Sequence, residues 1–121
     1  MDTSLDDWLA ELRRDLITHF KPELLGRPKT VFNIEFDTGA PFHLVVKDNA
    51  FAFEKGIHGS PTITLYVTDH HTLKGLLTGS TDGMNAFMLK QYRADGNIVL
   101  SQLLLYLFKS DRPTIAYEVR D

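Results

Sequence analysis

The sequence contains no cysteine. That excludes disulfides, thiol nucleophiles and Cys-ligated zinc, and it leaves a reducing compartment open. Positive charge is not in excess either: 13 Lys and Arg against 16 Asp and Glu give a net charge of -3. A nucleic-acid partner is therefore not expected, since phosphate binding wants a basic face. No apolar run reaches the ~18 residues that would span a bilayer. The acidic start, Met1 to Asp7, lacks the basic-then-apolar pattern of a secretory signal. A cytoplasmic protein is the expectation.

Catalytic patterns are missing as well. No phosphate loop or dinucleotide fingerprint is present. The segment Gly79-Ser80-Thr81-Asp82-Gly83 places its serine one position too early for a nucleophile elbow. Of the five histidines, only His70 and His71 are adjacent, following Asp69. Neighbouring helical residues point ~100° apart, so these imidazoles diverge, whereas a helical zinc pair needs i, i+4 spacing. Asp69-His70-His71 reads as a polar helix start. His58, in a Gly-flanked loop, reads as solvated, with contact to a ligand head group as the sharper alternative. Glu35, Asp37, Asp48 and Glu54 fall on outward strand faces or in turns and read as surface. No cofactor, metal or enzymatic activity is expected, because no acid, base and nucleophile set can be assembled.

The 121 residues suit one domain with its own core. Leu5, Trp8, Leu9, Leu12, Leu16 and Phe20 recur at helical spacing, with Thr3 or Ser4 as cap. Period-two patterning follows in Val31–Asp37, Phe42–Lys47 and around Phe51 and Phe53, separated by two short turns. It predicts an antiparallel meander with one wet face, on which Asn33, Glu35 and His43 lie. A fourth strand puts Ile63, Leu65 and Val67 inward. Thr68 or Asp69 then caps a helix that ends at Gly79. A short helix holds Met84, Phe87 and Met88, a stripe most simply read as core. Lys90–Asp95 is a fifth strand, and Asn97 caps a last helix. That helix, Ile98 to Phe108, has nine apolar residues in eleven. It is apolar almost all round, which says only that it is covered: by sheet and helices, by a second copy, or by a lipid. The tail, 113–120, alternates Ile115, Tyr117 and Val119 on one side and reads as a strand or extended arm.

The serial arrangement from Pro61 to Phe108 resembles the sterol carrier protein 2 family. The matching pieces are the strand Pro61-Thr62-Ile63-Thr64-Leu65, Asp69 opening a helix that ends Leu76-Leu77-Thr78-Gly79, and the short helix with Ala86-Phe87-Met88. Lys90, Ala94-Asp95-Gly96-Asn97 and a leucine-rich helix ending Leu107-Phe108 complete them. With the first helix and the meander, the likeness covers about residues 5 to 109. It implies an α/β fold of the α+β type: a five-stranded, largely antiparallel sheet covered on one face by helices, with a hydrophobic tunnel between. It also implies non-enzymatic binding of a lipid, whether fatty acid, fatty acyl-CoA, phospholipid, sterol or isoprenoid, for transfer or presentation. The wall residues expected on these helix faces are Leu77, Met84, Phe87, Met88, Tyr92, Leu100, Leu103, Leu104 and Leu107. Transient membrane contact fits this reading. The alternative is a protein-interaction domain or homodimer that uses the last helix and the tail, with no bound lipid. One departure from the family is Leu89-Lys90, where a small residue usually precedes the lysine.

Overall fold

The computed structural model describes residues 4–108. Its elements run α1 (Leu5–Leu16), two 3-10 turns (Ile17–His19, Pro22–Leu24), β1 (Lys29–Phe36), β2 (Phe42–Lys47) and β3 (Ala50–Lys55). Then come β4 (Ile63–Val67), α2 (His70–Thr78), α3 (Gly83–Met88), β5 (Tyr92–Asp95) and α4 (Ile98–Leu107). The segment 113–120, expected as a strand, lies outside the described residues.

Local chemistry sets most boundaries. Ser4 Oγ accepts from the Asp7 N–H at 3.1 Å, with Asp6 and Asp7 in the first turn of α1 and Arg13 and Arg14 in the last. The helix stops at Leu16, earlier than the apolar spacing suggests. Phe20 has extended backbone, but its ring packs 4.6 Å from Phe51 and 5.6 Å from Phe108. An extended segment thus packs a half-buried side chain on the core where another helical turn would have done the same. Asp48 and Asn49, at φ 55° and 62°, form the tight β2–β3 turn. Gly79, at φ 89°, ends α2 by donating its N–H to the Gly75 carbonyl.

The sheet order is β3-β2-β1-β4-β5. β1–β2, β2–β3 and β4–β5 are antiparallel, whereas β1–β4 is parallel, so the sheet is mixed and largely antiparallel. The register sets Phe32 between Leu44 and Ile63, and Ile34 between Phe42 and Leu65. Because opposite residues share a face, this places one apolar row set beneath α1, α2 and α4, with which it forms the core.

The second face is not wholly wet, contrary to the expectation drawn from the alternation. Asn33 and His43 are buried. The loop between β3 and β4 folds onto them. The Asn33 amide donates to the His58 carbonyl at 3.0 Å and accepts from the His58 N–H at 2.8 Å. His43 Nδ1 donates to the Gly56 carbonyl at 2.8 Å, and its Nε2 lies 3.4 Å from Glu54. Alternation reports which residues share a face, and a polar residue under a loop breaks no alternation.

Candidate functional site

The helix layer over β1, β4 and β5 carries the residues expected to line a lipid site. Leu77 on α2 and Leu100, Leu104 and Leu107 on α4 are buried, as is Tyr92 on β5. Leu103 is partly buried against the same core. These six come together as one apolar layer, filled by their own side chains. Each fully buried leucine contributes roughly 1.5–3 kcal/mol relative to exposure. Burial pushes the Tyr92 phenol above its ordinary pKa.

Met84, Phe87 and Met88 are not buried with those six. They are 65%, 44% and 71% exposed, so the reading of this stripe as core is corrected. The reason is the shortness of α3: six residues with a single buried side chain, Ala86. Its approach to α4 is close at Gly83, where a Cβ would lie 2.7 Å from Leu105 Cδ1. A helix seated on Gly83 and Ala86 leaves its two methionines largely exposed, while the half-exposed Phe87 ring lies 5.7 Å from that of Tyr92. Leu89, Ile98 and Val99 are exposed as well. The all-round apolar α4 is therefore covered along most of its length and open at its first turn. Of the exposed large apolar residues among the described ones, only Ile17 and Ile57 lie outside α3, its flank and this turn. The other six lie within one stretch of chain, residues 84–99.

The polar candidates have structural roles. Asp69 caps α2, accepting from the Thr72 N–H at 2.8 Å. Hydrogen bonds from Thr72, backbone before side chain, hold its carboxyl below the usual range against a smaller opposing effect of burial. His70 Nε2 donates to the Ala40 carbonyl at 2.9 Å, and its ring stacks on Trp8 at 4.9 Å. His58 Nδ1 accepts from the Ser60 N–H at 2.9 Å. No group of three or more metal-ligating side chains occurs among the described residues.

Two surface concavities stand out, and neither lies beneath α3 and α4. One, of about 270 Å³, runs between α1 and β3 and is lined by Leu9, Ala10 and Phe53, with Asp6, Arg13, Glu54 and Lys55. The other, of about 110 Å³, sits between the chain entering β1 and the β2–β3 turn. Sequence reasoning missed this second site. Arg27 and Lys47 on its wall come together only through the pairing of β1 with β2, which leaves no local mark in the sequence.

Similarity to known proteins agrees with this architecture. Part of the sec-alkylsulfatase Pisa1 from Pseudomonas sp. superposes with a TM-score of 0.67 at 15% identity over 93% of this chain. The chain spans 17% of that enzyme's length. The ubiquinone synthesis protein UbiJ-SCP2 gives 0.61 at 14% identity, covering 88% of this chain and 93% of that one. Sterol carrier protein domain 2 of Helicoverpa armigera gives 0.53 at 14% identity, covering 95% and 99%. At such identities these likenesses establish a shared fold. No curated protein sequence matches the chain. The model of the SCP-2 sterol transfer family matches residues 15–109, most of the molecule, and the chain accordingly belongs to that family.

Proposed function

We propose that this domain binds a hydrophobic lipid between its sheet and α2–α4, without catalysing a reaction, and carries or presents it in the cytoplasm. The observation that carries this reading is the apolar ledge of Met84, Phe87, Met88, Leu89, Ile98 and Val99, continuous in chain with the buried layer of Tyr92, Leu100 and Leu104. A lipid chain that reaches the ledge finds apolar contact at once, and deeper contact if α3 shifts. Each buried methylene contributes ~0.8 kcal/mol, offset in part by ordering the chain. α3 is the element best suited to shift: it is short and buries one side chain, and such segments open at low free energy. Methionine and leucine grip by area, so several lipid classes fit, among them fatty acids, fatty acyl-CoA, phospholipids, sterols and isoprenoids. The ledge also suits brief contact with the membrane from which such a lipid is taken.

Native against denaturing mass spectrometry of freshly purified protein tests this. A discrete added mass, removed by organic extraction, is expected. Leu103→Arg, at a partly buried wall position, should lose it while keeping the circular dichroism of the native fold. A clean apo mass with no uptake from a mixed lipid extract, together with a stable dimer, would sink the proposal in favour of a protein-interaction domain.

A further inference from the structure

The small concavity at the start of β1 carries two cations on its wall. It is lined by Pro22, Arg27, Pro28, Val46, Lys47, Asp48 and Asn49. Lys29 stands directly across the ladder from Lys47, the two being Cα partners in the β1–β2 register. Opposed residues share a face with Cβ atoms roughly 5 Å apart, and like charges so placed repel. Arg27 lies two residues before Lys29. All three cations are exposed, and none makes an ion pair or side-chain hydrogen bond within the described residues. Arg27 and Lys47 line the pocket with one acid, Asp48, and Lys29 adds a third cation beside Lys47 across the ladder, around a pocket large enough for a small anion.

Such repulsion costs stability unless something offsets it. Val46, on the same wall, is buried and pairs with Thr30, so both face the core, on the sheet face opposite to Lys29 and Lys47.

We propose that Arg27, Lys29 and Lys47 form a phosphate-binding site, taking the phosphate of a lipid head group or free phosphate. Three cations favour a phosphate monoester over a singly charged carboxylate. Arg27 offers a bidentate fork, while the lysines act as point charges. Charge-assisted hydrogen bonds of this kind are the strong ones. For a lipid-borne phosphate, the inference rests on the lipid-binding reading above.

Equilibrium binding of dioleoyl phosphatidate, dioleoylglycerol and inorganic phosphate to the full chain tests it, with the wild type beside a triple variant, Arg27→Gln, Lys29→Gln and Lys47→Gln. Removing repelling charges should leave the fold intact, which circular dichroism checks. If the phosphate is lipid-borne, the wild type prefers phosphatidate to dioleoylglycerol by about tenfold or more. The preference weakens with salt and vanishes in the variant, whose dioleoylglycerol binding is unchanged. If it is free phosphate, inorganic phosphate binds the wild type and not the variant, and the two lipids bind alike. Equal binding of both lipids with no phosphate binding overturns the site while leaving lipid binding standing. Failure of both lipids to bind overturns the lipid reading, and the inorganic phosphate titration still decides the site.

Discussion

The apolar layer has two ends built from different materials. Around α1, β2 and β3 it is aromatic. Phe42 lies 5.8 Å from Trp8, 5.4 Å from Phe36 and 5.8 Å from Phe53, and His70 stacks on Trp8. Phe51 meets Phe20 at 4.6 Å and Phe108 at 4.9 Å. Around β5 and the body of α4, short of its Phe108 cap, the layer is leucine-rich, with the exposed methionines of α3 beyond it and, among the described residues, one ring pair, Phe87 and Tyr92, at 5.7 Å. Rings have few rotamers and preferred mutual angles, so the first end holds one shape. Methionine and leucine side chains repack at small cost, so the second end tolerates more than one. On the function proposed above, the domain needs both, and the leucine-rich end is the one that yields to a guest.

The comparison breaks most sharply at Phe42. It is fully buried and touches three aromatic residues and His70. Phe42→Ala should cost about 3–5 kcal/mol, since a ring-sized cavity among rigid neighbours cannot collapse. Urea denaturation followed by circular dichroism would measure it. A loss under ~1 kcal/mol would mean the aromatic end is as pliable as the other and the contrast is false.

A middle-sized effect tests the junction of the two ends, where α2 begins. Asp69→Ala removes the cap of α2 and should cost about 1 kcal/mol at neutral pH. Hydrogen bonds from Thr72 hold the folded-state pKa of Asp69 below its unfolded value. Its contribution is thus present above about pH 4 and is lost as pH falls through the lower folded value. The gap between wild type and variant should therefore close in acid. A gap that stays constant down to pH 2 would show that the charge of Asp69 is not what stabilises the cap.

The sequence conveyed the two ends unevenly. Caps are local chemistry, and Ser4, Asp69, Asn97 and Gly79 stand where their residue types suggest. Inward strand positions such as Ile63, Leu65 and Val67 follow from period two, and all are buried. Strand direction does not, because a side chain alternates identically in parallel and antiparallel neighbours; the parallel β1–β4 pairing carries no local mark. Nor does period show what lies over a face, which hid the burial of Asn33 and His43 beneath Gly56–Ser60. Met84, Phe87 and Met88 failed for a related reason. An apolar stripe shows which residues act together, but its destination depends on Gly83 and Ala86 presenting the opposite side of α3 to α4 and β5. The Lys29–Lys47 pair needed the register itself, being eighteen residues apart in chain and neighbours only across the ladder.

The smallest expected change in stability is the most informative about function. Met88 is 71% exposed, so Met88→Gln removes little buried area and should alter unfolding free energy by less than about 0.5 kcal/mol. Were α3 a fixed part of the core, that is all the variant would do. Were the ledge the place where a lipid first touches the protein, the same change would slow lipid uptake from vesicles while the unfolding curve stays put. Stopped-flow transfer of a fluorescent fatty acid separates these outcomes. Hydrogen exchange sharpens them: α3 amides should exchange far faster than those of β1 and β2, because local opening of a helix with one buried side chain needs no global unfolding. Equal protection in both would place α3 within the rigid end, and lipid would then have to enter by another route.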